Sequence, residues 1–177
     1  MIGKIAEIGL GDYFVYGIVV DEHPDYGIAV KLFKPKFPER VTDLASLKNI
    51  AFRTTIYLPV RAIKEKKTNG FIRILDNVQP LFCEINPPVF RQVCPPETDG
   101  IVHAWVIING DQRTRVSKLS LEQAMLPDLL IANQEALRDM FDRNIFPWSD
   151  ERIKRGPISF TASELKHFVQ KVNNERL

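Results

Sequence analysis

The run Gly11-Asp12-Tyr13-Phe14-Val15-Tyr16-Gly17-Ile18-Val19-Val20 constrains the fold more than any other stretch of the chain. Its aromatic and β-branched side chains suit a pleated strand and lose rotamer freedom in a helix, so the fold begins as β. No recognisable reactive constellation follows it. A sheet of this kind, without chemistry of its own, acts as a binding surface.

The same reading continues downstream. Asp21-Glu22-His23-Pro24-Asp25-Tyr26-Gly27 is a turn cluster, and Ile28 to Phe33 resumes an extended pattern, as a hairpin or as two neighbouring strands. Pro35 and Pro38 break the ladder, and Leu44, Leu47 and Ile50 recur at the spacing of a short helical turn. From Phe52 to Val60 the residues alternate, Phe52, Thr54, Ile56 and Leu58 against Arg53, Thr55 and Tyr57, which predicts a half-buried strand. Asn69-Gly70 predicts a tight hairpin joining two antiparallel strands within Arg61 to Leu75. Leu81 to Ile85 reads as a further short strand. Val89 to Val93, bracketed by Pro87-Pro88 and Pro95-Pro96, reads as an edge segment or an irregular loop. Ile101 to Ile108 is the most apolar run and belongs in the middle of a sheet, with Asn109-Gly110 turning it into a return strand over Arg113 to Val116.

From Leu119 the hydrophobic period lengthens to that of a helix. Ser120-Leu121-Glu122-Gln123 and Thr161-Ala162-Ser163-Glu164 fit the capping box that starts a helix. Asn133 can cap another, while Asp128 to Ala132 fits either a strand or, as the preferred reading, the same helix begun at Pro127. Leu165, Phe168, Val169 and Val172 form one stripe of a final amphipathic helix. The expected fold class is therefore α+β: an antiparallel, strongly twisted β-sheet or partly open barrel over about residues 5–116, then two or three C-terminal helices. We expect a single domain over 1–177, with 1–118 mainly β and 119–177 mainly helical and packed on the sheet.

Composition narrows the class of partner. With 24 basic residues against 22 acidic ones and a net charge of +2, the chain has no general attraction to nucleic acid or anionic lipid. Cys83 and Cys94 lack C-x-x-C spacing and read as reduced thiols. Met1 to Glu7 lacks an apolar signal core, and no window offers the roughly 20 apolar residues of a membrane span. The expected location is the cytoplasm, with no membrane partner.

Gly9-Leu10-Gly11 lacks the third glycine of a dinucleotide loop, because Phe14 stands there, and it reads as a turn. The serines fit no nucleophile elbow and look like caps. His23, His103 and His167 have no metal-ligand spacing, although His103, flanked by Val102 and Ala104 and sharing a strand face with Trp105, is a candidate for a partly buried imidazole. No catalytic residue, metal ligand or cofactor is predicted. Two other classes stay open. Basic clusters at Lys64 to Lys67, at Arg113, Arg115 and Lys118, and at Arg152 to Arg155 would suit a small nucleic-acid-binding β-barrel if they share one face. A hydrolase would bring His103 or His23 to Cys94, a serine or a carboxylate.

Gly11-Asp12-Tyr13-Phe14, Tyr16-Gly17-Ile18-Val19, Val30-Lys31-Leu32-Phe33 and Trp105-Val106-Ile107-Ile108-Asn109-Gly110 together resemble the predicted all-β immunity proteins of bacterial polymorphic toxin systems, family twenty-six, over roughly the first two thirds of the chain. The resemblance implies a cytoplasmic, non-enzymatic protein that binds and neutralises a cognate toxin without a cofactor. Such an interface needs a few desolvated aromatic or arginine anchors. Tyr26, Tyr57, Arg91, Trp148 and Arg152 are the candidates, because each stands beside a break in regular structure.

Overall fold

The computed structural model describes residues 1–63, 70–75, 85–94 and 101–174. The fold is α+β, and every ladder between its strands is antiparallel. The strands belong to two sheets, neither of them a closed barrel, and the chain forms two compact units. The first unit is Met1–Pro88 with Leu130–Ile145; the second is Val89–Leu129 with Phe146–Leu177.

In the first unit, β1 (Ile5–Gly9), β2 (Phe14–His23), β3 (Gly27–Phe33), β4 (Phe52–Leu58) and β5 (Ile72–Leu75) lie in the order β4-β3-β2-β1-β5. Alternation sends Ala6, Ile8, Val15, Val19, Val30, Leu32, Ile56 and Leu58 to one face, where they share a core with Leu137 and Phe141 of a helix over Gln134–Asp142. That helix begins where Asn133 accepts the Ala136 amide at 2.8 Å, as its sequence predicts. Gly17 is the residue that lets β2 and β3 pack so closely, since a Cβ there would lie 2.6 Å from Val30 Cγ1 and 2.7 Å from the Lys31 carbonyl.

The opposite face is also out of water. Phe37 bonds back to the Phe14 backbone and meets the Tyr16 ring edge-on at 5.3 Å, and Leu47, from a 3₁₀ turn over Leu44–Leu47, is fully buried. The expected half-burial of β4 is accordingly exceeded. Tyr57, on its less apolar side, is only 4% exposed, and Arg53, where the β3–β4 register shifts, is 8% exposed and turns to the main core, its guanidinium 4.5 Å from the Phe141 ring. The Arg53 guanidinium donates to the Ile145 carbonyl at 3.1 Å and to Asn144 Oδ1 at 2.9 Å, at the electronegative C-terminal end of the Gln134–Asp142 helix.

Residues 64–69, which hold most of the first arm of the expected hairpin within Arg61 to Leu75 and Asn69 of its turn, lie outside the described residues, as do residues 81–84. Of that hairpin's described part, Val60–Ala62 is a 3₁₀ turn and Ile63 meets Ile72 in a single parallel bridge. Strand β5 pairs with β1, from Ile8↔Ile72 to Ile5↔Leu75, and Ile72 is fully buried there.

In the second unit, β6 (Val89–Cys94), β7 (Ala104–Asn109) and β8 (Gln112–Val116) form a sheet with the apolar β7 in the middle, as expected. The predicted turn falls one residue later, at Gly110 and Asp111 between the paired Asn109 and Gln112, with Gly110 at φ +56°. Because the ladder begins at Cys94↔Ala104, His103 falls before the strand and is exposed, not half-buried beside Trp105. Trp105 is fully buried with Val102, Leu119, Ala124, Ile153 and Phe160, and its indole N–H donates to the Pro157 carbonyl at 3.1 Å.

All helices of the described chain follow residue 119. In chain order they are α1 (Leu121–Ala124), α2 (Gln134–Asp142), α3 (Glu151–Arg155) and α4 (Ala162–Asn174), of which α2 belongs to the first unit. Both predicted capping boxes form, at Ser120 with Gln123 and at Thr161 with Glu164. The ambiguous stretch before Asn133 is extended, not helical. In the second unit Arg91 N–H donates to Pro127 O and Leu129 N–H to Arg91 O; in the first, Tyr57 N–H donates to Leu130 O and Ala132 N–H to Tyr57 O. These bonds cover the outer edges of β6 and β4, edges that would otherwise invite pairing with another chain. Among the described residues no helix is long and apolar enough to cross a membrane.

Candidate functional site

Strand β1 reads Ile5-Ala6-Glu7-Ile8-Gly9, and its alternation points a carboxylate at the sheet face opposite the main core. Register then places Tyr16 of β2 and Arg73 of β5 directly opposite Glu7 on either side. Tyr16 Oη donates to Glu7 Oε2 at 3.0 Å, while Arg73 grips the carboxylate side-on, Nε to Oε1 at 3.1 Å and Nη2 to Oε2 at 3.2 Å. The 34–51 segment brings Arg40, whose Nε lies 3.2 Å from Oε1, and Val41, whose N–H donates to Tyr16 Oη at 2.9 Å. Glu7 is 3% exposed, whereas Arg40 and Arg73 are 56% and 48% exposed. One buried carboxylate thus orients two half-open guanidiniums.

Beside this group the same face has a gap. Gly9 stands opposite Phe14, and a cleft of about 300 Å³ opens there, lined by Glu7, Gly9, Phe14, Arg40, Phe71 and Arg73. The Arg40 guanidinium lies 5.1 Å from the Phe14 ring centre, and Gln134 Nε2 ties α2 to the Gly9 carbonyl at 2.8 Å. Glu7 cancels one of the two positive charges, so the cleft keeps a net charge of +1. Both arginines use the Nε side of the fork on Glu7. Among the described residues nothing accepts from Arg40 Nη1 or Nη2 or from Arg73 Nη1. Burial first, then the hydrogen bond to Glu7 against the opposing one from Val41, pushes Tyr16 up to about 12, so it stays a neutral donor.

The residues expected as anchors fall elsewhere, in two groups. Tyr26 and Tyr57 come together at the β2–β3 turn of the first unit, rings 5.3 Å apart, with His23 stacked on Tyr26 at 4.3 Å. Tyr57 Oη donates to Asp21 Oδ2 at 2.7 Å, and Asp25 N–H donates to His23 Nδ1 at 3.1 Å. Tyr26 keeps part of its surface; Tyr57 is nearly closed off.

In the second unit Arg91 and Arg152 meet around Asp150. Arg91 is 0% exposed and donates to Leu126 O at 2.8 Å, Pro147 O at 2.9 Å and Asp150 Oδ2 at 3.0 Å, so it ties its own unit together and offers no surface. Arg152 donates to Asp128 Oδ2 at 2.6 Å and to both oxygens of Asp150, the residue that caps α3. Two arginines and two aspartates leave no net charge. Burial acts to raise Asp150, but the hydrogen bonds and charge of Arg152 outweigh it and hold the carboxyl below its ordinary value. At Asp128, whose Oδ1 is buried without a partner, burial wins and the pKa rises. Trp148 sits half-buried in the 3₁₀ turn Pro147–Ser149, stacked on Phe146 at 4.6 Å.

Sequence reasoning missed Glu7, Arg40 and Arg73. The available signal was the single acid inside the apolar strand Ile5-Ala6-Glu7-Ile8, since a charge on a buried strand demands a partner. Among the described residues no group of three or more histidine, cysteine, aspartate or glutamate side chains could hold a metal ion. Comparison with known protein families, with curated proteins and with solved structures finds no match for this chain.

Proposed function

We propose that this is a non-enzymatic binding protein that acts by contact with a protein partner, in the manner of an immunity protein that captures and neutralises a cognate bacterial toxin. The observation that carries the reading is the Arg40–Arg73 cleft. Two guanidiniums held in place by a common buried carboxylate, beside the Phe14 ring, form a preoriented cationic and aromatic surface of the kind that dominates protein interfaces. The polar groups elsewhere support it too. His23 Nδ1 is taken by a turn amide, His167 Nδ1 lies 2.9 Å from the Ser163 carbonyl, and the Arg91 and Arg152 charges are met by Asp150 and Asp128, all local structural duties. Tyr26, Trp148 and Arg152, which keep surface of their own, are proposed as secondary contacts, with the cytoplasm as the place of action.

The test is co-expression in bacteria with the product of the neighbouring open reading frame. Protection from a growth defect caused by that product is the expected result. A toxic product that this protein neither binds nor restrains would contradict the reading, as would oligonucleotide binding that falls steeply with added salt.

A further inference from the structure

The Arg40 and Arg73 guanidiniums each use the Nε edge on Glu7, and both line a cleft whose walls include the Phe14 ring. We infer that this cleft recognises a carboxylate group carried on a flat apolar body. Guanidinium forks match the planar geometry of a carboxylate, and the Phe14 ring favours an attached ring or apolar side chain over a bare ion. The charge decides between oxyanions. Glu7 leaves only +1 in the cleft, so a singly charged carboxylate is balanced, whereas a phosphate dianion meets the Glu7 carboxylate with a surplus negative charge. Shape agrees as well. Gly9 contributes no side chain, and a Cβ at that position would stand 3.8 Å from the Phe14 ring and 3.9 Å from the Phe71 carbonyl, in ordinary contact, so the gap exists because the residue is glycine.

The inference rests on the binding-protein reading for one point, that the carboxylate comes from an acidic residue of a partner next to an apolar one; a free aromatic acid has the same chemistry. The experiment titrates the full chain at constant ionic strength with sodium benzoate, sodium acetate, inorganic phosphate, and a blocked peptide containing aspartate next to phenylalanine, following the Gly9 and Phe71 amides and the arginine side chains by NMR. We expect saturable binding of benzoate and peptide, about tenfold or more tighter than acetate or phosphate. Arg40→Gln removes one of the two guanidinium forks and its charge, and Gly9→Val fills the gap with all three charges in place; each is expected to weaken binding about tenfold with little change in melting temperature. Tighter binding of the peptide than of benzoate assigns the carboxylate to a protein segment, and the reverse assigns it to a free acid.

The inference is overturned by a lack of saturable benzoate and peptide binding, by phosphate binding more tightly than benzoate, or by both variants binding like the parent. Growth protection that survives both substitutions while benzoate binding is lost overturns the partner-derived carboxylate and leaves the proposed function standing. Benzoate binding without growth protection does the opposite.

Discussion

Glu7 and Tyr16 are direct partners across β1 and β2, and the Tyr16 hydroxyl donates to Glu7 Oε2 at 3.0 Å while accepting from Val41 N–H at 2.9 Å. The contact joins a strand pair to the 34–51 segment, and with Arg73 it satisfies a carboxylate that water does not reach. A buried charge is tolerated only when its acceptors are filled. Of the groups around Glu7, Arg40 and Arg73 also line the cleft.

Glu7→Gln should therefore be costly. It leaves Tyr16 and the two arginines facing a neutral amide, and a loss of about 2 kcal/mol in unfolding free energy is expected, within the range for an unsatisfied buried polar group. Arg40→Gln, at a half-exposed end of the same group, should cost less than about 1 kcal/mol. Urea denaturation of the two variants checks the ranking.

Tyr16 and Tyr13 both have pKa values raised from 10.0 to about 12, each mainly by burial. The folded state holds these protons more tightly than the unfolded chain. Their contribution to stability is complete below about pH 10 and is lost as the pH rises from about 10 to about 12. Alkaline titration should show tyrosinate absorbance appearing late and with unfolding, and Tyr16→Phe should flatten the stability profile in that window.

The Arg91 group predicts the opposite dependence at low pH. Because Asp150 is held below its ordinary value, its contribution is present above about pH 4 and is lost as the pH falls through the lowered value. Asp128, raised by burial, works against it and gains on protonation. Asp150→Asn should remove part of the acid sensitivity. Arg91→Ala strands two backbone carbonyls and removes one of the two arginines on Asp150, and should cost about 3 kcal/mol in the second unit. Hydrogen exchange of the Trp105 and Ile108 amides reads that unit directly.

Helix caps offer a calibrated control. Asn133→Ala and Ser120→Ala each remove a side-chain acceptor of a first-turn amide, from Ala136 and Gln123, and each should cost about 1 kcal/mol. Thermal melts of the two variants would reveal whether the caps of α2 and α1 act as their geometry implies.

Local rules explain what was readable in the sequence. Runs of aromatic, β-branched and apolar residues marked β2, β3 and β7, alternation marked β4, the turn after Asn109 followed from the backbone freedom of Gly110, and both capping boxes follow from spacing alone. What stayed hidden depends on distance along the chain. Strand β5 pairs with β1, distant in the chain, and the 127–132 stretch is extended because Arg91 and Tyr57 have backbone groups to satisfy. Arg91 reads as an exposed anchor until the Leu126 and Pro147 carbonyls and Asp150 enclose it. The cleft is assembled from residues 7, 14, 40 and 73, which no local pattern connects.

The most direct measurement is calorimetric titration of the full chain, and of its Arg40→Gln form, with the purified product of the neighbouring reading frame. The account predicts a saturable complex for the parent and about tenfold or greater weakening for the variant at equal thermal stability. Equal affinity of the two forms, or no complex at all, would contradict it.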